Sequence, residues 1–102
     1  MELAKAEAER LAEILATEFG VRRVYLFGSF AWGPEARPDS DLDLAVEGLH
    51  RGKRVLAHTR LSESSEYLVD LVSLNRIQGV LRERILTSGI VVYDRQPEYA
   101  AG

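Results

Sequence analysis

The chain has 102 residues, 46% apolar and 28% charged, with a formal charge of −3 and no cysteine. That is the length of one domain with one core, without room for a separate substrate-binding lobe. The missing thiols exclude disulfide scaffolds, thiolate zinc sites and cysteine nucleophiles, and the acidic balance argues against nonspecific nucleic-acid binding while leaving room for a local basic patch.

Residues 2–19 carry helical periodicity, with Ala4, Ala8, Leu11, Ala12, Leu15 and Phe19 on one face and Gly20 as a left-handed cap. Val21–Phe27 reads as a strand rich in β-branched and aromatic residues. Gly28 ends it, Ser29 is suited to cap a short turn through Trp32, and Gly33-Pro34 opens an exposed loop. Asp41–Val46 alternates as a second strand, with Asp41, Asp43 and Ala45 on one face and Leu42, Leu44 and Val46 on the other. Lys53–Leu61 is a weaker helix, with Val55, Leu56 and Leu61 inward and a break at Ser62–Ser65. Tyr67–Val72 is a third strand, apolar on both faces except for Asp70. Leu74–Leu86 is expected as one helix with Ile77, Val80, Leu81, Ile85 and Leu86 inward and a solvated charged face at Arg82, Glu83 and Arg84. Ile90–Tyr93 is a last strand. Residues 1–95 are expected to form the single domain and residues 96–102 a frayed tail. Helices alternate with strands, which predicts a two-layer α/β or α+β domain built on a small sheet. No apolar run approaches the roughly 20 residues that span a bilayer, and the N-terminus is unlike a secretory signal, so a cytoplasmic protein is expected.

Asp41 and Asp43 lie two apart in a strand, on one face, with Cα atoms roughly 7 Å apart. Two like charges this close raise each other's pKa and weaken the fold unless a cation lies between them. Taken alone, such a short and common pair more often describes a solvated strand face or loop edge. Asp70 adds a third carboxylate in a segment that looks buried on both faces, where it needs a metal, an arginine or capping amides. If the second and third strands are neighbours, the three aspartates share one site, and an all-oxygen set favours Mg²⁺ or Mn²⁺. An EF-hand is excluded: Asp39, Asp41 and Asp43 copy its first ligands, but Leu44 stands where glycine is needed and His50 where glutamate is. The Gly28-Ser29 pair after a strand lets a phosphate approach the backbone at the start of a helical turn, although by itself it is only a turn signal. Neither a Walker A loop nor a dinucleotide fingerprint is present: Gly52-Lys53 is followed by Arg54 and lacks the upstream glycine. His50 and His58 read as surface residues with nothing to orient them, and Arg37, Lys53 and Arg54 as weaker candidates for triphosphate contacts.

Strand, Gly-Ser, short helix, Asp-x-Asp strand and a distal strand aspartate together resemble the nucleotidyltransferase superfamily. The wording LFGS…ARPDSDLDL…VDLV resembles its minimal nucleotidyltransferases, from about Val24 to Tyr93. The resemblance implies an α+β fold, a small mixed β-sheet with helices packed on one side. It implies Gly28 and Ser29 as the nucleotide-binding turn, and Asp41, Asp43 and Asp70 as catalytic metal ligands for Mg²⁺ or Mn²⁺ with ATP as substrate. It further implies AMP transfer to a hydroxyl, a tyrosine of a partner HEPN-domain toxin, with this chain as the antitoxin. Homo- or hetero-oligomers fit such a pair, while membranes and direct nucleic-acid partners are not expected. Two other functions stand beside it: an antitoxin that neutralises by docking alone, and a transferase acting on a small molecule. Retention of all three aspartates counts against the first, and the lack of a second domain against the second. The chain departs from the resemblance in a loop one residue longer than usual, placed at Pro34, and in Trp32 where many relatives have arginine. Phe30 and Trp32 hint at a partner surface.

Overall fold

The computed structural model describes residues 2–33 and 40–95. Helix α1 (Glu2–Phe19) leads to strand β1 (Arg23–Phe27), a single helical turn α2 (Ser29–Trp32) and strand β2 (Leu42–Glu47). A 3-10 turn at Arg51–Lys53 opens helix α3 (Arg54–Ser64), which returns the chain to β3 (Val69–Ser73). A second 3-10 turn (Leu74–Arg76), helix α4 (Val80–Ser88) and β4 (Ile90–Asp94) follow. The strands form one four-stranded sheet in the order β3-β2-β1-β4. β1 is antiparallel to both of its neighbours, and β2 is parallel to β3, a pairing that needs the crossover α3 supplies. This is the mixed α+β architecture expected from the alternation of elements.

The alternation within each strand sorts residues between the two faces. Val24, Leu26, Leu42, Leu44, Val46, Val69 and Leu71 join the buried face of α1 and Ala57 and Leu61 of α3 in the larger core. Tyr25, Phe27 and Ala45 point the other way and pack with Leu74 and with Ile85 of α4. The two long helices therefore share one side of the sheet, and α4 covers part of the other. Asp43 has the parity of Ala45, so it belongs to the thinly covered face.

The inward residues predicted for α1 are buried, Phe19 partly so, and Gly20 takes the positive φ (69°) of a helix end. Elsewhere the structure corrects the expectation. Residues 74–86 are not one helix: Gly79, at φ 79° and ψ −149°, breaks them into a 3-10 turn and α4. The break changes the helical phase, so Val80 is 83% exposed, Leu81 and Leu86 are exposed, and Ile85 alone of α4 is buried. In α3 Val55 and Leu56 face solvent, while Ala57 and Leu61 face the core. α3 runs three residues past Leu61 and ends at Ser64, inside the expected Ser62–Ser65 break. Arg10 of α1 donates to the Ser64 carbonyl, the Ser65 hydroxyl donates to Glu7 (2.6 Å), and Arg60 pairs with Glu18 at 2.8 Å. These cross-links tie the end of α3 to α1. Phe30 is no partner surface either: it is 5% exposed and meets the Tyr67 ring edge-on at 5.5 Å. Expectations for Pro34, Arg37 and the tail at 96–102 fall outside the described residues.

Candidate active site

Gly28 ends β1 and turns the chain into α2. Its carbonyl accepts from the amides of Ala31 (3.0 Å) and Trp32 (2.8 Å), and the Gly33 amide closes the turn on Ser29 (2.8 Å). Gly28 itself takes the N-cap place, at φ 79° and ψ −151°, and Ser29 does not cap the turn as expected; its side chain is exposed. Two features of the position favour glycine. The backbone conformation is one that L-residues rarely adopt. In addition, a Cβ here would stand 2.0 Å from Oδ2 of Asp43. The Gly-Ser turn and the Asp-x-Asp strand are thus in direct contact, because Phe27 and Asp43 are register partners across the antiparallel β1–β2 pair.

On the other side of β2, Asp43 is the register partner of Asp70 in the parallel β2–β3 pair. Adjacent strands lie roughly 4.8 Å apart, which makes the two carboxylates same-face neighbours. Asp41 stands one residue before β2 and is exposed. The sheet therefore sets Gly28, Asp43 and Asp70 side by side across β1, β2 and β3, with Asp41 near enough for its charge to act on Asp43. Asp70 differs from expectation in one respect: it is exposed, not buried. β3 is an edge strand, covered only on the α1–α3 side, so Val69, Leu71 and Ser73 are buried and Asp70 faces the open side.

Half-buried Asp43 carries the electrostatic cost of this arrangement. Burial first, then the charges of Asp70 and Asp41, push its carboxyl up to about 6. Among the described residues no three His, Cys, Asp or Glu side chains already converge tightly enough to close on a metal ion. The chemistry of the donor set nevertheless fits a hard divalent cation: oxygen donors only, and mutual repulsion that such a charge would relieve.

Two residues read as departures or as surface acquire structural roles. The Trp32 indole N–H donates to the Ser88 carbonyl at the end of α4 (2.9 Å), its ring lies 6.0 Å from that of Phe27, and the Arg84 guanidinium lies 4.0 Å over it. Trp32 thereby clamps the turn after Gly28 to α4, and Arg84 is not simply solvated. Trp32→Ala should cost about 2 kcal/mol, and Trp32→Phe, which loses only the indole hydrogen bond and some cation–π contact, about 1 kcal/mol. Urea unfolding measures both, and an unchanged midpoint for Trp32→Ala would remove the clamp. His50 accepts from the Gly52 amide at Nδ1 (3.0 Å), and His58 bonds the Val69 carbonyl through Nε2 (2.8 Å), so both are oriented as local braces. Arg54 donates to the Leu71 carbonyl (3.4 Å), which sets it on β3, two strands away from the Gly28 turn and out of place for a triphosphate held there.

A Gly-Ser turn at the end of β1 thus lies against the carboxylates carried by β2 and β3. Residues 9–98 match the family described as polymerase beta, nucleotidyltransferase, and the chain belongs to that family. Its fold is similar to that of a protein described as a minimal nucleotidyltransferase, at 39% identity and TM-score 0.66, covering 87% of this chain and 92% of that one. It is also similar to a toxin–antitoxin structure with AMP-PNP, at 29% identity and TM-score 0.69, covering 86% and 74%. A more distant likeness, 23% identical with TM-score 0.64, covers 98% and 77% and is a tri-AMPylated Shewanella oneidensis HEPN toxin in complex with an MNT antitoxin. A search of curated proteins by sequence gives no match.

Proposed function

We propose that this chain transfers AMP from ATP to a tyrosine hydroxyl of a HEPN-domain partner and so acts as the antitoxin of a toxin–antitoxin pair. One observation carries the reading: Asp43, with its pKa pushed up, is pressed against the Gly28 turn on one side and paired with Asp70 on the other. A carboxylate held where it costs stability is explained by a ligand that discharges it. The relatives support the rest, since one is a toxin–antitoxin structure with AMP-PNP. Among the described residues no helix is long and apolar enough to cross a membrane.

Asp41, Asp43 and Asp70 would hold Mg²⁺ or Mn²⁺, which when bound supplies charge stabilisation for the triphosphate and the leaving pyrophosphate. The rest is done by the chain's own groups. The Gly28-Ser29 turn takes the terminal phosphates, with the Ser29 hydroxyl as donor. Asp70, exposed at the sheet edge, receives the acceptor's proton as its oxygen bonds to the α-phosphorus and the bond to the β-phosphate oxygen breaks. Exposed Val80, Leu81 and Leu86 on α4 offer apolar contact for a protein acceptor beside the turn.

The test is incubation with α-labelled ATP, Mg²⁺ and the HEPN partner encoded beside it. Label should appear on the partner and disappear in Asp43→Ala. Neutralisation that survives the triple change of Asp41, Asp43 and Asp70 to alanine would show docking, not transfer, to be the mechanism. Label moving only onto a small molecule would redirect the assignment.

A further inference from the structure

The turn after Gly28 does not hold its own shape. α2 is a single helical turn of four residues, and no side chain caps it. An isolated turn of that length is unfavourable to form, because several dihedrals are fixed for very few hydrogen bonds. Two side chains, two residues apart, hold it from outside. Phe30 enters the core on the α1–α3 side of the sheet, where it meets Tyr67 edge-on. Trp32 goes to the opposite side and packs with Phe27 against the smaller core. The two anchors differ in kind. Phe30 is held by apolar burial, whereas Trp32 is tied to α4 through its indole N–H on the Ser88 carbonyl and the Arg84 guanidinium over its ring. A hydrogen bond has a direction, so it fixes the rotation of the turn where apolar contact alone does not.

Trp32 also lies on the face that carries the carboxylates. Phe27, against which its ring packs, is the register partner of Asp43, and the Trp32 amide donates to the Gly28 carbonyl. The end of α4 is itself seated on the sheet: a Cβ on Gly89 would stand 3.4 Å from the Tyr25 ring, and β4 begins at Ile90. Contacts therefore run from β1 through α4 and Trp32 back to the turn, and none of them passes through Asp41, Asp43 or Asp70. On the transfer reading above, we propose that Trp32 is a positioning residue for the nucleotide. By way of Ser88 and Arg84 it holds the Gly28-Ser29 turn where the donor's phosphates are received, while the sheet holds the carboxylates independently. A displacement of about 1 Å in such a group is enough to cost a large part of its effect.

Two measurements on the full chain separate the turn from the carboxylates. Calorimetric titration with AMP-PNP and Mg²⁺ reads the turn, and Mn²⁺ uptake without nucleotide, followed by electron paramagnetic resonance, reads the carboxylates. Trp32→Ala should weaken AMP-PNP binding by about tenfold, the scale of one hydrogen bond with its stacked cation. Trp32→Phe, which keeps an aromatic ring, should weaken it less, and neither change should alter Mn²⁺ uptake. Ala57→Gly lowers stability from α3, on the other side of the sheet, and should leave both measurements unchanged. All are compared at a temperature where circular dichroism shows each protein folded. Wild-type AMP-PNP affinity in Trp32→Ala, Mn²⁺ uptake falling in parallel with it, or an equal loss in Ala57→Gly overturns the proposal. A wild type that does not bind AMP-PNP overturns it together with the transfer reading. A wild type that binds AMP-PNP in the expected order of variants but never labels the HEPN partner ends the transfer reading alone and leaves Trp32 as the residue that positions the turn for nucleotide.

Discussion

Asp43→Asn should abolish transfer and, without metal, make the protein more stable. The activity loss is expected on the order of a thousandfold, the scale of removing a group that organises charge in the transition state. The stability gain follows from the direction of the Asp43 shift. Its carboxyl goes from 3.8 to about 6 on folding, so the folded state binds the proton more tightly than the unfolded chain. Above pH 6 the folded protein therefore carries a penalty that shrinks as pH falls and vanishes below about 4. Fully converted, the shift would be worth about 3 kcal/mol, but Asp43 is only half-buried, and solvent screening reduces this to about 1 kcal/mol. Urea unfolding in EDTA should show Asp43→Asn more stable than wild type at pH 7.5, with the two converging near pH 4. Using the difference between the proteins removes the opposite contribution of Glu7, which is held below its usual range by Arg10 and loses its stabilisation as pH falls. Adding Mg²⁺ should then raise the unfolding temperature of wild type and not of the variant. A wild type more stable than Asp43→Asn at pH 7.5 in EDTA would show that Asp43 is not under repulsion.

Such a cost is local, and the chain shows why parts of it could be read from sequence and parts could not. The face of α1 and the strand pairing around Asp41–Val46 were legible because period and burial coincide there: Ala4, Ala8, Leu11 and Leu15 repeat at helical spacing over many turns. The Gly28 turn was legible as chemistry, although its contact with Asp43 depends on the β1–β2 register. Asp70 stands beside Asp43 on the condition the sequence reading set, that the second and third strands are neighbours, but it is not buried there. LVDLV looks buried on both faces, yet β3 is an edge strand with one side open, and edge position belongs to strand order, not to local pattern. The helix expected over 74–86 failed at Gly79. Leu74, Ile77, Leu81 and Ile85 keep helical spacing across a residue whose backbone ends the helix. Phe30, one residue beyond an exposed serine, is buried because α2 turns it toward Tyr67.

Two glycines of this chain provide a matched pair for the last expectation. Gly28 and Gly79 both precede a helix as its N-cap, and their backbones agree within two degrees, at φ 79° with ψ −151° and −149°. They differ in surroundings: a Cβ on Gly79 meets nothing within 4 Å, whereas one on Gly28 stands 2.0 Å from Asp43 Oδ2 and 2.9 Å from its Cγ. Gly79→Ala should therefore cost the backbone strain alone, about 1–3 kcal/mol. Gly28→Ala should cost that and a further 1–3 kcal/mol of crowding, the usual range for forcing extra atoms into a packed place. The surplus depends on Asp43, so a double-mutant cycle with Asp43→Ala should return most of it, while the strain stays. Transfer should survive Gly79→Ala, folded protein for folded protein, and be lost in Gly28→Ala even at temperatures where the variant is fully folded. Equal stabilities for the two alanine variants, or active folded Gly28→Ala, would separate the turn from the carboxylate and leave Gly28 as a turn glycine only. Agreement would show that the contact of turn and carboxylate, more than either alone, is what the fold preserves.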